Sequence, residues 1–156
     1  RLISGISKSV IDLERIGDEA TKIAKRTLQL SEDGAAPRGY DEIRHIGAQV
    51  RRMVQEALDA FARFDVDLAL AVSQYDKTID REYKSALREL VTYMMEDPRS
   101  ISRVLSVIWV LRSLERIGDH ARNIAELVVY MVHGTDVRHK SLLPSKSADE
   151  PADTPE

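Results

Sequence analysis

The hexapeptide Leu-Glu-Arg-Ile-Gly-Asp occurs twice, at residues 13–18 and 114–119, the two copies lying 101 residues apart. Such an identity arises by chance with a probability on the order of one in ten thousand, so the chain carries one structural unit twice over. Both copies sit in helical patterns. Ile6, Val10, Leu13, Gly17, Ala20 and Ala24 follow the 3/4 spacing of a buried stripe, which predicts a first helix over about 2–31. Gly34, Pro37 and Gly39 mark a loop.

A second helix is expected over about 41–64, with Ile43, Ile46, Val50, Val54, Phe61 and Phe64 toward the core and Arg44, Arg51, Arg52 and Arg63 on the other face. Those arginines would face solvent or meet an acidic partner. Asp65 or Asp67 supplies a cap for a third helix ending near 95, with Leu68, Val72, Tyr75, Ile79, Tyr83, Ala86 and Leu90 as its stripe. Asp97-Pro98 starts a fourth helix that runs to about 133 and stops at Gly134. No segment reads as a strand. The hexapeptide falls on helices one and four. The fold class is therefore all-α: an antiparallel three-helix bundle at 40–134, preceded at 1–33 by the last long helix of a second, incomplete bundle. Residues 140–156, rich in Ser, Pro, Asp and Glu, are expected to be a disordered tail.

Composition excludes several function classes. The chain has no cysteine, which rules out disulfides, thiolate ligands and a cysteine nucleophile and fits a cytoplasmic setting. A net charge of −3 argues against nucleic acid or anionic lipid as the main partner. The longest apolar run, 104–111, is bracketed by Arg103 and Arg112 and is too short to span a bilayer. With Arg1 in first place and no cap ahead of the first helix, the sequence reads as a fragment of a longer protein.

Each hexapeptide places a Glu and an Asp one turn apart on the shoulder of its apolar stripe: Glu14 with Asp18, and Glu115 with Asp119. Asp76 and Asp80 form the same spacing on helix three. Spacing alone is weak, because random placement of 26 acids already gives about four such pairs. The embedded glycine adds weight. Gly inside a helix costs roughly 1 kcal/mol relative to Ala, so Gly17 and Gly118 on the core side point to close approach by a neighbouring helix. That approach would bring the acids of two helices together as hard oxygen ligands.

The two E-R-I-G-D segments, D-K-T-I-D at 76–80, the run V-T-Y-M-M-E-D-P-R-S-I and E-R-I-G-D-H-A-R-N-I-A-E followed by G-T-D-V-R-H resemble the PhoU family of bacterial phosphate-signalling regulators over about residues 1–139. The resemblance implies tandem three-helix bundles with carboxylate metal sites. Asp76, Asp80, Glu115 and Asp119 would form the second-bundle site, for Mg²⁺, Mn²⁺ or iron. Glu14 and Asp18 would be half of another, whose partner acids lie on a helix this chain does not contain. It also implies a negative regulator of the phosphate-starvation response, an adaptor between the phosphate ABC transporter's ATPase subunit and a sensor histidine kinase. Such a regulator would meet the membrane only through these partners.

Two other readings are weighed against it. A carboxylate di-iron enzyme needs paired E-x-x-H segments, and the chain has one, at Glu42 and His45. A metal-free adaptor bundle needs no site at all. No nucleophile–base constellation or phosphate-cradling glycine loop is present, so no enzymatic activity is expected. The apolar stripe of helix one, lacking bundle partners of its own, predicts self-association or folding back on helices two to four.

Overall fold

The structure, a computed structural model, describes residues 1–134; the expected tail at 140–156 lies outside the described residues. Four helices carry the chain: α1 (Leu2–Asp33), α2 (Tyr40–Arg63), α3 (Val66–Glu96) and α4 (Ile101–His133), the last entered through a 3-10 turn at Pro98–Ser100. The described residues contain no strand, and none of their helices is long and apolar enough to cross a membrane.

The boundaries have local causes. The Asp65 carboxylate accepts a hydrogen bond from the backbone N–H of Leu68 at 3.0 Å and caps α3. Asp97 accepts from the N–H of Arg99 at 3.3 Å, with Pro98 at the first position of the turn. Gly134 ends α4 in the left-handed region at φ 70°, its N–H bonded to the Tyr130 carbonyl at 2.9 Å. Phe64, expected in the core, instead caps α2 with φ 54° and is half exposed. Only two residues, Phe64 and Asp65, separate α2 from α3, and this reversal needs a left-handed residue at the point where the helix pattern asked for a core one.

The core is the seam of α2, α3 and α4. Ile46, Met53, Val72, Ile79 and Leu111 are among its fully buried side chains, each contributing about 1.5–3 kcal/mol by leaving water. α4 packs against all three other long helices, whereas α1 packs against α4 alone. One face of α4, including Val104, Val107, Leu111, Ala121 and Ala125, belongs to the bundle core.

The expected buried stripe of α1 is not buried. Ile6 is 44% and Val10 56% exposed, and Leu13, Gly17, Ala20 and Ala24 are exposed as well. α1 instead buries Gly5, Ser9, Asp12, Glu19 and Leu30, with Ile16 and Ile23 half-buried. The repeat explains the reversal. Adding 101 to each stripe position gives Val107, Leu111, Leu114, Gly118, Ala121 and Ala125, the side of α4 that α2 and α3 cover. α1 thus keeps the face that receives a helix pair, and none of the described helices lies on it. Its docked face corresponds to the opposite, more polar side of α4.

α1 and α4 run antiparallel, with Gly5 beside Met131, Asp12 beside His120, Glu19 beside Ser113, and Arg26 beside Trp109. The 101-residue offset exchanges Asp12·His120 with Ser113·Glu19, so the two repeat helices meet about a local pseudo-two-fold axis. The chain folds back on itself by pairing each hexapeptide helix with its own counterpart.

The glycines separate accordingly. A Cβ on Gly118 would lie 3.7 Å from Asp76 Oδ1 and 3.9 Å from Val50 Cγ2, ordinary contact with α3 and α2. Gly17 has nothing within 4 Å of its Cβ position, so the close approach expected there is absent from the described residues. Gly17→Ala is therefore expected to stabilise this chain by about 1 kcal/mol, read as a raised urea midpoint with unchanged slope. A destabilised variant would show that Gly17 has a neighbour in solution.

Candidate carboxylate site

Asp76 and Asp80 project from α3 and Glu115 and Asp119 from α4, and the packing of these helices brings the four together. Their mutual influence is electrostatic. Burial pushes the Glu115 carboxyl up to about 7, and the charge of Asp119, a hydrogen bond with Asp119, and the charges of Asp80 and Asp76 push in the same direction. Burial also raises Asp76; the Arg122 guanidinium opposes it, while Asp119 and Asp80 add to it. Four like charges held between two helices favour taking up a proton or a cation.

A side chain outside the predicted set answers part of that demand. Arg122, three residues after Asp119, donates from Nη1 to Asp76 Oδ2 at 2.7 Å and pairs with Asp119 Oδ1 at 3.3 Å. Its Nε lies 3.7 Å from Glu126 Oε1. Lys84 donates to Asp80 Oδ2 at 2.9 Å on the outer edge. The signal for Arg122 was present as Asp-x-x-Arg on one helix face, but a search for acid pairs passes over it. With these side chains in place, no three His, Asp or Glu residues among the described residues converge as metal ligands would. Among the described residues the positive charge still falls short, since the four acids Asp76, Asp80, Glu115 and Asp119 are set against Arg122 and Lys84.

Of the other candidates, Asp18 lines an open cleft between α1 and α4 together with Asp119, while Glu14 and His45 lie apart. Glu14 and Asp18 are exposed on α1, on the side whose α4 counterpart faces α3. His120 turns away from the four acids, and its Nδ1 lies 2.8 Å from Asp12 Oδ1, which also accepts from Asn123 Nδ2 at 3.2 Å. Across the pseudo-axis Glu19 pairs with Lys22 at 2.9 Å and Arg116 at 3.5 Å. This polar layer between α1 and α4 was missed, because charged residues on a helix read as its solvent side. The di-iron candidate His45 has its Nε2 2.8 Å from Gln49 Nε2 and 3.3 Å from Glu82 Oε2 of α3, away from the four acids.

The raised Glu115 value fixes a pH dependence. The native state holds the proton more tightly than the unfolded chain, whose carboxyl titrates near 4.5, so stability falls as pH rises from about 4.5 to about 7 and is level above. Glu115→Gln is expected to match the parent at pH 4 and exceed it by about 1 kcal/mol at pH 8, a figure discounted for partial exposure. Denaturant melts at the two pH values check this, and an equal loss at both would contradict it.

Known proteins share this arrangement of helices. The PhoU domain model matches residues 43–128. The chain is 82% identical over 142 residues to the phosphate-specific transport system accessory protein PhoU homolog of Pseudomonas putida, covering 91% of this chain and 56% of that protein. It is 41% identical over 156 residues to the phosphate-specific transport system accessory protein PhoU of Escherichia coli K12, covering 96% and 64%. The crystal structure of PhoU from Pseudomonas aeruginosa superimposes with a TM-score of 0.86 at 79% identity, covering 86% of this chain and 65% of that one. The phosphate transport system regulatory protein PhoU from Streptococcus pneumoniae gives 0.77 at 32% identity, covering 85% and 62%. The chain thus spans between 56% and 65% of the length of these four proteins. With a matched domain over more than half its length and the same helical architecture, the chain belongs to the PhoU family.

Proposed function

We propose that this chain is part of a negative regulator of the phosphate-starvation response, an adaptor between the ATPase subunit of a phosphate ABC transporter and a sensor histidine kinase. It works at the cytoplasmic side through protein surfaces rather than catalysis. Its relatives' description as phosphate transport system accessory proteins supports this. The site would be a cation-responsive clamp between α3 and α4. The observation that carries this part is Glu115, held near 7 by burial and by three neighbouring carboxylates.

Asp76, Asp80, Glu115 and Asp119 fit a hard divalent or transition cation such as Mg²⁺, Mn²⁺ or iron, being all-oxygen donors short of positive charge. When bound, the ion would neutralise the acids and fix α3 against α4. The chain's own residues do the rest. Asp76 holds Arg122 in the cluster, and Glu115, hydrogen-bonded to Asp119, holds a proton more readily than a free carboxyl. Arg122 would withdraw toward Glu126 on binding. A metal-free adaptor is the second reading, and the position of Arg122 among the acids is what favours it.

Elemental analysis of protein purified without chelator, and thermal melts with added Mn²⁺, separate the two. At a hundredfold excess over the dissociation constant, Mn²⁺ is expected to add about 2.7 kcal/mol, a gain lost in Asp76→Asn plus Asp119→Asn. No metal and no shift would leave the metal-free adaptor. In cells, a phosphate-regulated transcriptional reporter should be derepressed by Asp76→Ala with Asp119→Ala.

The open α1 stripe adds a prediction about assembly. Ile6, Val10 and Leu13 expose a continuous apolar face, and a second copy of the chain is a suitable cover. Light scattering should show concentration-dependent association that Val10→Asp abolishes, and a parent chain that stays monomeric at high concentration would contradict it.

A further inference from the structure

We propose that the cleft around Trp109, between α1 and α4, docks an acidic polypeptide segment of a partner protein. The pseudo-two-fold axis supplies an internal control for this surface. It relates two clefts of similar size, about 220 Å³ beside Trp109 and about 300 Å³ at the other end of the helix pair. Equivalent positions differ in kind: Trp109 stands where the other cleft has Lys8, Arg112 where it has Ile11, Arg26 where it has Leu127, and Lys22 where it has Asn123. Only the Arg116 position keeps its residue, as Arg15. The other cleft holds two cations, Lys8 and Arg15, and one acid, Asp12, against four cations and one acid around Trp109, so the same helix packing is satisfied with half as many cations and does not account for the excess.

That charge is concentrated. Lys22, Arg26, Arg112 and Arg116 line the cleft with a single acid, Glu19, in a chain whose net charge is −3. Glu19 is buried and already shared by Lys22 and Arg116. Arg112 makes no ion pair among the described residues. Trp109, the chain's single tryptophan, is 46% exposed, and the Arg26 guanidinium lies over its ring at 5.8 Å. Arg26 Nη1 donates to Gln29 Oε1 at 3.0 Å, and a guanidinium over an indole keeps its remaining in-plane donors available to a carboxylate. Exposed Trp beside Arg is also the pairing enriched at the energetic centre of protein interfaces.

The arrangement fits a chain segment better than a small anion. Lys22 and Arg116 meet at Glu19, whereas Arg26 and Arg112 stand one helical turn away from them along α1 and α4, so the four cations form a strip and not a single pocket for an anion. Carboxylates on alternate residues of an extended segment repeat at about 6.6–6.8 Å, close to that spacing, and leave intervening apolar side chains for the indole. The arginine face of α2 is less available: Arg44 is paired with Asp41 and Arg52 with Glu56. Trp109 precedes Asp119 by about 15 Å along α4, so docking does not rest on the carboxylate site.

Because Trp109 is the single tryptophan, its emission reports the cleft directly. The probe is a capped peptide of about twelve residues alternating Glu and Val, titrated into the full chain beside a Gln–Val peptide, inorganic phosphate and phosphatidylglycerol vesicles. A salt-sensitive emission change with the Glu–Val peptide alone is expected. Arg26→Glu with Arg112→Glu should weaken it at least about tenfold, and Arg26→Gln with Arg112→Gln partly. Lys8→Glu with Arg63→Glu should leave it unchanged. The doubly reversed variant should keep its helicity by circular dichroism and its response to Mn²⁺, which separates this test from that of the carboxylate site. No emission change, equal binding by the reversed variant, or an equal response to phosphate or vesicles would each overturn the proposal.

Discussion

α4 is packed on opposite sides, by α2 and α3 on one and by α1 on the other, and both packings must be satisfied by a single stretch of sequence. Its core side is aliphatic and supplies the hydrophobic stabilisation of the bundle. Its other side mixes Ile117 and Ile124 with Ser106, Ser113, His120 and Asn123, and it takes α1 through hydrogen bonds and ion pairs as well as apolar contact. Buried polar pairs of this kind add little net stability, but a shifted partner would leave Asp12 or Glu19 unpaired and buried. They fix the register in which the two repeat helices meet.

The same helix sets the electrostatics. Packing α3 against the Gly118 side of α4 places Asp76 beside Asp119, and helical spacing adds Asp80 and Glu115. Burial, reinforced by repulsion from Asp119, Asp80 and Asp76, then raises Glu115, and Arg122, one turn beyond Asp119 on α4, offsets the charge of Asp76 and Asp119. The α1 copy shows the contrast: with no helix over Gly17, Glu14 and Asp18 stay in water.

Much of this was legible in the sequence, for identifiable reasons. Helix positions followed from periodicity and from Asp65, Asp97 and Gly134, whose capping chemistry is local. Helical spacing gave the pairs Asp76–Asp80 and Glu115–Asp119, and their grouping was what the family resemblance implied; the packing of α3 on α4 brings the four together. The buried face of α1 was misread because its apolar stripe is built for a helix pair that is not among the described helices, whereas the face it uses is small and polar. Phe64 was misread because a hydrophobic residue at a helix end was taken for core when the reversal required a left-handed cap. Arg122 and the Asp12–His120 pair depend on which charged side chains meet across helices, and periodicity in one helix carries no such information.

In the proposed clamp, burial and like charge hold Glu115 near 7 until a cation relieves the cluster. Carbon-13 NMR titration of the Glu115 side-chain carboxyl, with and without saturating Mg²⁺, measures this directly. The account predicts a midpoint near 7 in the absence of metal, displaced well down the pH scale when Mg²⁺ is present. A midpoint near 4.5 in both conditions would contradict it.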